Sequence, residues 1–323
     1  MILDDFVRQL NAWGAERVPF LFFIDFEKKR PKAFPLAEVN PAEILYSMNG
    51  FSNYRGQRAL FNTIDFKKWP LPFSDYAIKY KRVFDRLLYG DSFLTNLTIK
   101  TPIEINVTLR DLFTGVQAKY SCWFKEEFLV FSPETFVQIK GRTISAYPMK
   151  GTIDAGIPEA ESIILNDKKE KAEHITIVDL IRNDLSQVAE NVRVPRFRYV
   201  DKLKTSAGTL LQVSSEVAGD LAENFNSHLG DMLMKLLPAG SVSGAPKPKT
   251  VEIILQAEGE DRGYYTGVFG YFDGKNLDSG VMIRFIEKCD NRYFYRSGGG
   301  ITTQSDAAAE FQEAINKIYV PVN

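Results

Sequence analysis

Strands that come in runs, rather than alternating strictly with helices, predict an α+β fold built on antiparallel sheets. One run fills Ala118 to Tyr147 with short turns such as Lys140-Gly141, and a second occupies roughly 264–298. Helix-period segments lie between and after them, over about 167–189, 226–237 and 247–258 and from about Ser305 to Tyr319. No internal repeat or low-complexity linker divides the 323 residues, so a single compact unit is expected, with residues 1–70 as its N-terminal part.

The first 70 residues mix a short helix with strand-like runs such as Phe20-Leu21-Phe22-Phe23-Ile24. An amphipathic helix follows: Ser74 is a natural N-cap, Tyr80, Val83, Phe84, Leu87 and Leu88 form one stripe, and Gly90 ends it. Ile103, Ile105, Val107 and Leu109 alternate as in a half-buried strand. Later strands are expected over about 264–273, 277–288 and 292–298. The last helix carries Phe311, Ile315 and Ile318 on its buried side.

Composition is ordinary for a globular chain, 45% hydrophobic and 25% charged, with a net charge of -1. No basic stripe marks a nucleic-acid footprint, so that class is set aside. Cys122 and Cys289 match no metal or redox spacing and read as reduced, buried thiols of a cytosolic protein. His174 and His228 are too few for a histidine-rich zinc site. The acidic start Met1-Ile2-Leu3-Asp4-Asp5 is no signal peptide, and the apolar run Val18 to Ile24 is too short to cross a bilayer. A soluble cytoplasmic protein is the expectation.

Pro148-Met149-Lys150-Gly151-Thr152 follows the strand-like run Thr143 to Tyr147. Pro148 fixes φ and Gly151 allows close approach of backbone to a ligand, so the turn would project Lys150 from a rigid strand end. A lysine there can be a nucleophile when its amine is neutral; the same five residues also describe an ordinary surface lysine. Glu170 with Glu173, and Glu310 with Glu313, are three apart and share a helix face. Four carboxylates converging from two helices would make a hard site suited to Mg2+, although each pair alone is the common pattern of a solvated face. The glycines of Ser297 to Thr302 can offer backbone N–H groups to an anion or make a plain turn. Arg284, within the apolar run Val281 to Ile286, needs an anionic partner if buried, while strand alternation equally lets it face outward. The small-residue loop Pro238 to Lys247 and the segment Arg262 to Gly267 are further places where a backbone could approach a ligand closely.

Taken together, these segments resemble the chorismate-utilising enzymes: anthranilate, aminodeoxychorismate, isochorismate and salicylate synthases. The text that carries the resemblance is Ser132-Pro133-Glu134, the Lys150 turn, Ala172-Glu173-His174 through Asp179-Leu180-Ile181-Arg182-Asn183-Asp184, the Pro238 loop, Arg262 to Tyr271, Ile283-Arg284, Ser297 to Ile301, and Glu310 to Lys317. Order and spacing both match, over a catalytic core of about 75–320 and more loosely before it. The resemblance implies two packed, largely antiparallel sheets flanked by helices, with the active site between them. Anthranilate synthases look like P-I-A-G-T at the lysine turn and aminodeoxychorismate synthases like P-I-K-G-T. The present P-M-K-G-T resembles the second, the large component (component I) of para-aminobenzoate synthase on the folate route.

That branch implies amination of chorismate at C4, in which a lysine attacks C2, the C4 hydroxyl leaves, and ammonia attacks C4 and expels the lysine. Carried onto this sequence, the resemblance makes Lys150 the nucleophile and Glu134 the general acid. It gives Glu173 and Glu313 to Mg2+, with Glu170 and Glu310 as ligands or water-bridged neighbours. Tyr265, Arg284, Lys317 and the amides of Gly298 and Gly300 would bind the substrate carboxylates. Gly151 and Thr152 would shape the pocket wall, and Ser241 stands where relatives carry threonine. A lysine of pKa about 10.4 is almost wholly protonated at pH 7, so Lys150 needs a depressed pKa or a nearby base.

Three departures bear on this reading. Gln212 replaces a histidine of the relatives; it can still hydrogen-bond and is expected among the substrate-binding residues, but it cannot shuttle a proton. Leu94 stands where isochorismate and salicylate synthases carry a lysine base, which argues against those reactions. The N-terminal part is short, so no tryptophan feedback is expected. No Cys-His-Glu triad of a glutaminase is visible; ammonia would be free or come from a separate glutamine amidotransferase subunit, a partner implied by the resemblance. Anthranilate synthase and a non-catalytic chorismate-binding subunit are the alternatives. Lys150 in the space of C2 argues against the first, and the presence of Glu134, Lys150 and all four glutamates against the second.

Overall fold

The computed structural model describes the backbone of residues 1–61, 63–205 and 208–321. Helix Leu3–Ala15 (α1) leads into strands Phe20–Ile24 (β1), Lys32–Pro35 (β2), Ile44–Met48 (β3), Phe51–Ser52 (β4) and Phe66–Lys68 (β5). Helix Phe73–Tyr89 (α2), strand Leu94–Ile105 (β6) and helix Leu109–Gly115 (α3) follow. Five strands come next: Tyr120–Phe124 (β7), Phe128–Ser132 (β8), Thr135–Lys140 (β9), Thr143–Ala146 (β10) and Met149–Asp154 (β11). Helices Ala160–Asn166 (α4) and Lys168–Ser186 (α5) precede the ribbon Glu190–Thr205 (β12) and Gly208–Asp220 (β13). Then come Leu229–Leu236 (α6), Gly244–Ala245 (β14) and Lys247–Glu258 (α7). Val268–Phe272 (β15), Leu277–Val281 (β16), Phe285–Cys289 (β17) and Arg292–Ile301 (β18) lead to the last helix, Ala307–Asn316 (α8).

The strands form two antiparallel sheets. The first runs β11-β13-β10-β9-β16-β15-β1-β2 with β12 on β13, and the second runs β14-β6-β18-β17-β8-β7-β3-β4 with β5 on β6. The expected architecture of two packed sheets flanked by helices is therefore the one observed.

Alternation explains the layering. On β1 every residue is buried, and its two faces serve different cores. Phe20, Phe22 and Ile24 meet Phe6 and Leu10 of α1, Val178 and Leu185 of α5, and Leu233 of α6. Leu21 and Phe23 point the other way, into an aromatic layer between the sheets with Tyr46, Phe128, Phe269 and Phe285. Each such side chain contributes about 1.5–3 kcal/mol on burial. The outer face of the second sheet is covered by α2, α3, α7 and α8 through Val83, Leu112, Ile253 and Ala314.

Several local expectations differ from the structure. Helix α2 starts at Phe73 after Pro72, and the Ser74 hydroxyl turns to Asp75 instead of capping; Gly90 does end the helix, in the left-handed region. Leu109 does not continue a strand but opens α3, because Thr108 accepts a hydrogen bond from the Asp111 amide and caps it. The segment expected as helix 226–237 divides into a 3-10 turn, Phe225–His228, and α6. The strand expected over 277–288 breaks at Met282–Arg284, where Arg284 takes φ 54°. The glycines after Ser297 are not a turn: β18 runs through them to Ile301, because β6 pairs with every residue from Tyr293 to Ile301.

Candidate active site

Lys150 lies on a bulge inside a strand, not in a turn after one. Met149 pairs with Ser214 and Thr152 with Gln212, so Lys150 and Gly151 together oppose the single residue Val213. Gly151 has φ 88°, and a Cβ there would stand 3.1 Å from Glu170 Oε2. The position therefore needs glycine twice over, for its backbone and for the acid beside it.

The bulge aims Lys150 at α5. Its Nζ stands 2.6 Å from Glu173 Oε2, and Lys169 reaches the other oxygen of the same carboxylate at 3.8 Å. Asp167 caps α5 by accepting from the Glu170 amide, which fixes the first turn that carries both acids. Glu170 Oε2 is buried without a hydrogen-bond partner. Burial pulls the Lys150 ammonium down. The Glu173 hydrogen bond and the charges of Glu173, Glu170 and Glu313 more than offset that, so Lys150 titrates above the ordinary lysine value. In this state it is an ammonium, not the free amine that nucleophilic attack requires.

The second acid pair arrives on α8, over the glycine strand. A Cβ on Gly299 would lie 3.4 Å from Glu310 Oε2, 3.7 Å from Lys317 Nζ and 3.8 Å from Glu313 Oε1. Lys317 pairs with Glu313 at 2.7 Å and donates to the Gly298 carbonyl at 2.9 Å. Burial raises the Glu310 carboxyl, against the hydrogen bond from Ser305. Burial also acts upward on Glu313, but Lys317 and Lys150 outweigh it and hold that carboxyl below its usual range.

Gly298 and Gly300 present backbone donors at an open edge. Their partners Thr98 and Asn96 send their own N–H groups away from β18, to Glu258 Oε1 at 2.8 Å and the Ser243 carbonyl at 2.9 Å. In an antiparallel ladder the opposing residues then also turn their N–H and C=O away from that partner. On this other side β17 pairs with β18 only up to Arg296, which leaves the Gly298 and Gly300 amides uncovered by strand.

Glu134 forms a second centre next to the first. Its amide donates to Ser132 Oγ at 3.1 Å and its carbonyl accepts from the Val281 amide at 3.1 Å, which fixes the link between β8 and β9. The Ser241 hydroxyl donates to its carboxylate. Burial pushes the Glu134 carboxyl up, while Ser241, Arg284 and Lys317 oppose the shift. Arg284 has no acidic ion-pair partner among the described residues; its guanidinium lies 5.5 Å over the Tyr319 ring. Buried Tyr265 sits beside it, 5.9 Å from Phe285, its phenol pushed up to about 12 by burial against the charges of Arg262 and Arg284. Thr152 and Gln212 face one another across β11 and β13, one step past the bulge, and make no hydrogen bond to the other site residues among those described. Leu94 packs under the glycine strand, its Cδ1 3.0 Å from a Cβ on Gly300.

Two supporting features escaped the sequence. His174 Nε2 stands 2.7 Å from Ser215 Oγ, and its other nitrogen turns to the Lys150 backbone without forming a good hydrogen bond. Burial first, then Arg198, lowers its pKa to about 4, so it is a neutral brace behind the bulge. Arg262 and Glu258 form a buried pair at 2.6 Å that also binds the Asn96 carbonyl and the Thr98 amide, and so sets the edge of β6 that turns the glycines outward. Both residues are ordinary in sequence; only the paired strand reveals what they hold.

No three of the described acidic, histidine or cysteine side chains are arranged to hold a metal as they stand. The ammonium groups of Lys150, Lys169 and Lys317 take the carboxylate oxygens instead. The donor chemistry nonetheless fits a hard divalent cation: four carboxylates, one with a buried oxygen lacking any partner, over a strand with no side chain at Gly299.

The sequence family described as chorismate binding enzyme matches residues 40–323. An "Uncharacterized PabA-like protein" of Haemophilus influenzae is 48% identical over 321 residues, covering 99% of this chain and 97% of that protein. An anthranilate synthase component 1 of Streptomyces coelicolor is 39% identical over 260 residues, 76% of this chain and 50% of the relative. An aminodeoxychorismate synthase component 1 of Klebsiella aerogenes is 31% identical over 260 residues, 76% of this chain and 56% of the relative. The matched part is thus about half the length of the two synthases, whereas the first relative is matched nearly end to end. Among solved structures, a putative 2,3-dihydroxybenzoate-specific isochorismate synthase of Bacillus anthracis superposes with TM-score 0.74 at 20% identity, over 98% of this chain and 87% of that one. A fold of two antiparallel sheets shared with such structures, together with the family match from residue 40 to 323, places the chain in the family of chorismate-binding, chorismate-utilising enzymes.

Proposed function

We propose that the chain aminates chorismate at C4 to 4-amino-4-deoxychorismate, with ammonia as the nitrogen source. The observation that carries this reading is the bulge that aims Lys150 at Glu173, within the field of Glu170 and Glu313, while Lys317 on Glu313 also acts on the Glu134 carboxyl. Isochorismate formation needs a base to activate water, and Leu94 offers none at the glycine strand. The Klebsiella relative named aminodeoxychorismate synthase component 1 supports the choice.

In the proposed reaction the Lys150 ammonium first gives up a proton to water; the free amine then forms a bond to C2, the ring double bonds shift toward C4, and the C4–O bond breaks. Glu134 donates the proton with which the hydroxyl departs as water. Ammonia then bonds to C4, the double bonds shift back, and the C2–N bond breaks to return the Lys150 electron pair. The net change is chorismate plus ammonia to aminated product plus water. Arg284, Lys317 and the Gly298 and Gly300 amides bind the substrate carboxylates, and Tyr265 backs Arg284. Glu173 and Glu313, with Glu170 and Glu310, would hold Mg2+, which would neutralise the ring carboxylate. A separate glutamine amidotransferase subunit would supply ammonia in the cell.

The test is product identification by mass spectrometry and NMR after incubation with chorismate, Mg2+ and ammonium. A C4-aminated product that keeps its enolpyruvyl group is expected. Anthranilate with pyruvate would favour the second reading, for which the 39% identity to the Streptomyces anthranilate synthase speaks.

A further inference from the structure

Two runs whose residues, Ser241 apart, the substrate site leaves without a role, Ile181-Arg182-Asn183-Asp184 on α5 and the Pro238 to Lys247 loop, meet beneath Glu134. Asp184 Oδ2 receives the Lys247 ammonium at 2.7 Å, and both side chains are nearly buried. Beside them is a cavity of about 30 Å³. A single water needs roughly 10–15 Å³ of such space, so one or two small molecules fit and no ring does. Phe136, Val137, Ala146, Ile181 and Leu185 supply apolar wall, and Glu134 and Asp184 bring carboxylates to it.

The Ser241 hydroxyl, the nearby donor, is already committed to Glu134, and Lys247 is committed to Asp184. One bond to each carboxylate leaves further acceptor sites on Glu134 and Asp184, the two acids of the lining. A small ligand rich in N–H donors satisfies them best. Glu134 borders this chamber and also feels the charges of Arg284 and Lys317 on the substrate side. A molecule held here would share Glu134 with the proposed substrate side.

We propose that this chamber is a one-molecule binding site for ammonia, or its ammonium form, from which nitrogen is delivered to C4 past Glu134. This rests on the C4-amination reading and adds to it a station for the second substrate. The small volume sets a size limit on the amine.

Two variants test it, with ammonium chloride and methylammonium chloride as probes. Ala146→Val places two methyl groups toward the chamber from a strand that suits a β-branched residue. The KM for ammonium should rise about tenfold or more, while the KM and the Kd for chorismate stay within about twofold. Val137→Ala enlarges the chamber and should give a C4-methylamino product from methylammonium, which the unaltered protein should not make. Circular dichroism melts verify that each variant is folded. Normal C4 amination, with the ammonium KM unmoved in Ala146→Val and no methylamine product from Val137→Ala, would overturn the chamber and leave the amination reading intact. No C4-aminated product from the unaltered chain would overturn both.

Discussion

Lys150 Nζ and Glu173 Oε2 stand 2.6 Å apart, so the strand bulge and the first acid helix are joined through the group proposed to attack the substrate. The contact holds the amine protonated, and it occupies an oxygen that a divalent cation would otherwise use. Replacing Lys150 by alanine should lower C4 amination on the order of 10³-fold, as loss of a nucleophile does. The same variant should bind Mn2+ several-fold more tightly without chorismate, read by electron paramagnetic resonance, because Glu173 loses its ammonium partner. An amination rate equal to that of the unaltered chain would sink the covalent route.

Glu134 has to be protonated to give its proton to the leaving hydroxyl. Burial raises its pKa, so the working form persists above the ordinary carboxylate range and is lost as pH rises through the raised value. The Ser241 hydroxyl favours the ionised form. Ser241→Ala should therefore move the high-pH limb of kcat/KM further upward, and Glu134→Gln should abolish that limb and cost about 10²–10⁴-fold in rate. A limb that moves downward in Ser241→Ala would refute this role of Glu134.

The α+β class was legible in the runs of strands, and the two packed sheets through the resemblance; Phe20 to Ile24 read as a strand, but that its two faces serve different cores shows only once β2 and β15 are seen on either side of it. The four glutamates were legible as pairs, since i to i+3 spacing fixes their face, but their meeting depends on two helices on different sheets. What failed was set by partners distant in the chain. The Gly298 to Gly300 run reads as a turn until β6 is seen to pair with it. Lys150 reads as a turn residue until β13 shows two residues opposite one. His174 and Arg262 lie in segments that carry the resemblance, but what they and Glu258 hold has no local signal, because each acts on groups far away in sequence.

Gly151 is the residue on which the bulge depends. Its φ of 88° costs an L-residue about 1–2 kcal/mol, and a Cβ would also crowd Glu170 Oε2. Gly151→Ala should lower stability by about that amount in denaturant unfolding. It should reduce kcat more than it raises the KM for chorismate, since it displaces Lys150 rather than the carboxylate-binding groups. A variant of normal stability and normal kcat would show that the bulge tolerates a side chain.

Ser305 ties the glycine strand to the second acid pair. Its hydroxyl accepts from the Thr302 amide at 3.1 Å and donates to Glu310 Oε1 at 2.7 Å, while Tyr80 of α2 donates to its carbonyl. Glu310 is thereby held over Gly299 in one rotamer, and its pKa is lower than burial alone would make it. Ser305→Ala removes the donor, lets the carboxylate turn, and favours its neutral form. The neutral form is the poorer metal ligand, so Mn2+ affinity should fall several-fold, and more at pH 6 than at pH 8. Ser305→Thr keeps the hydroxyl and should restore it. A loss of stability with unchanged Mn2+ affinity would mean that Ser305 serves only the loop, and that the second acid pair is oriented by α8 alone.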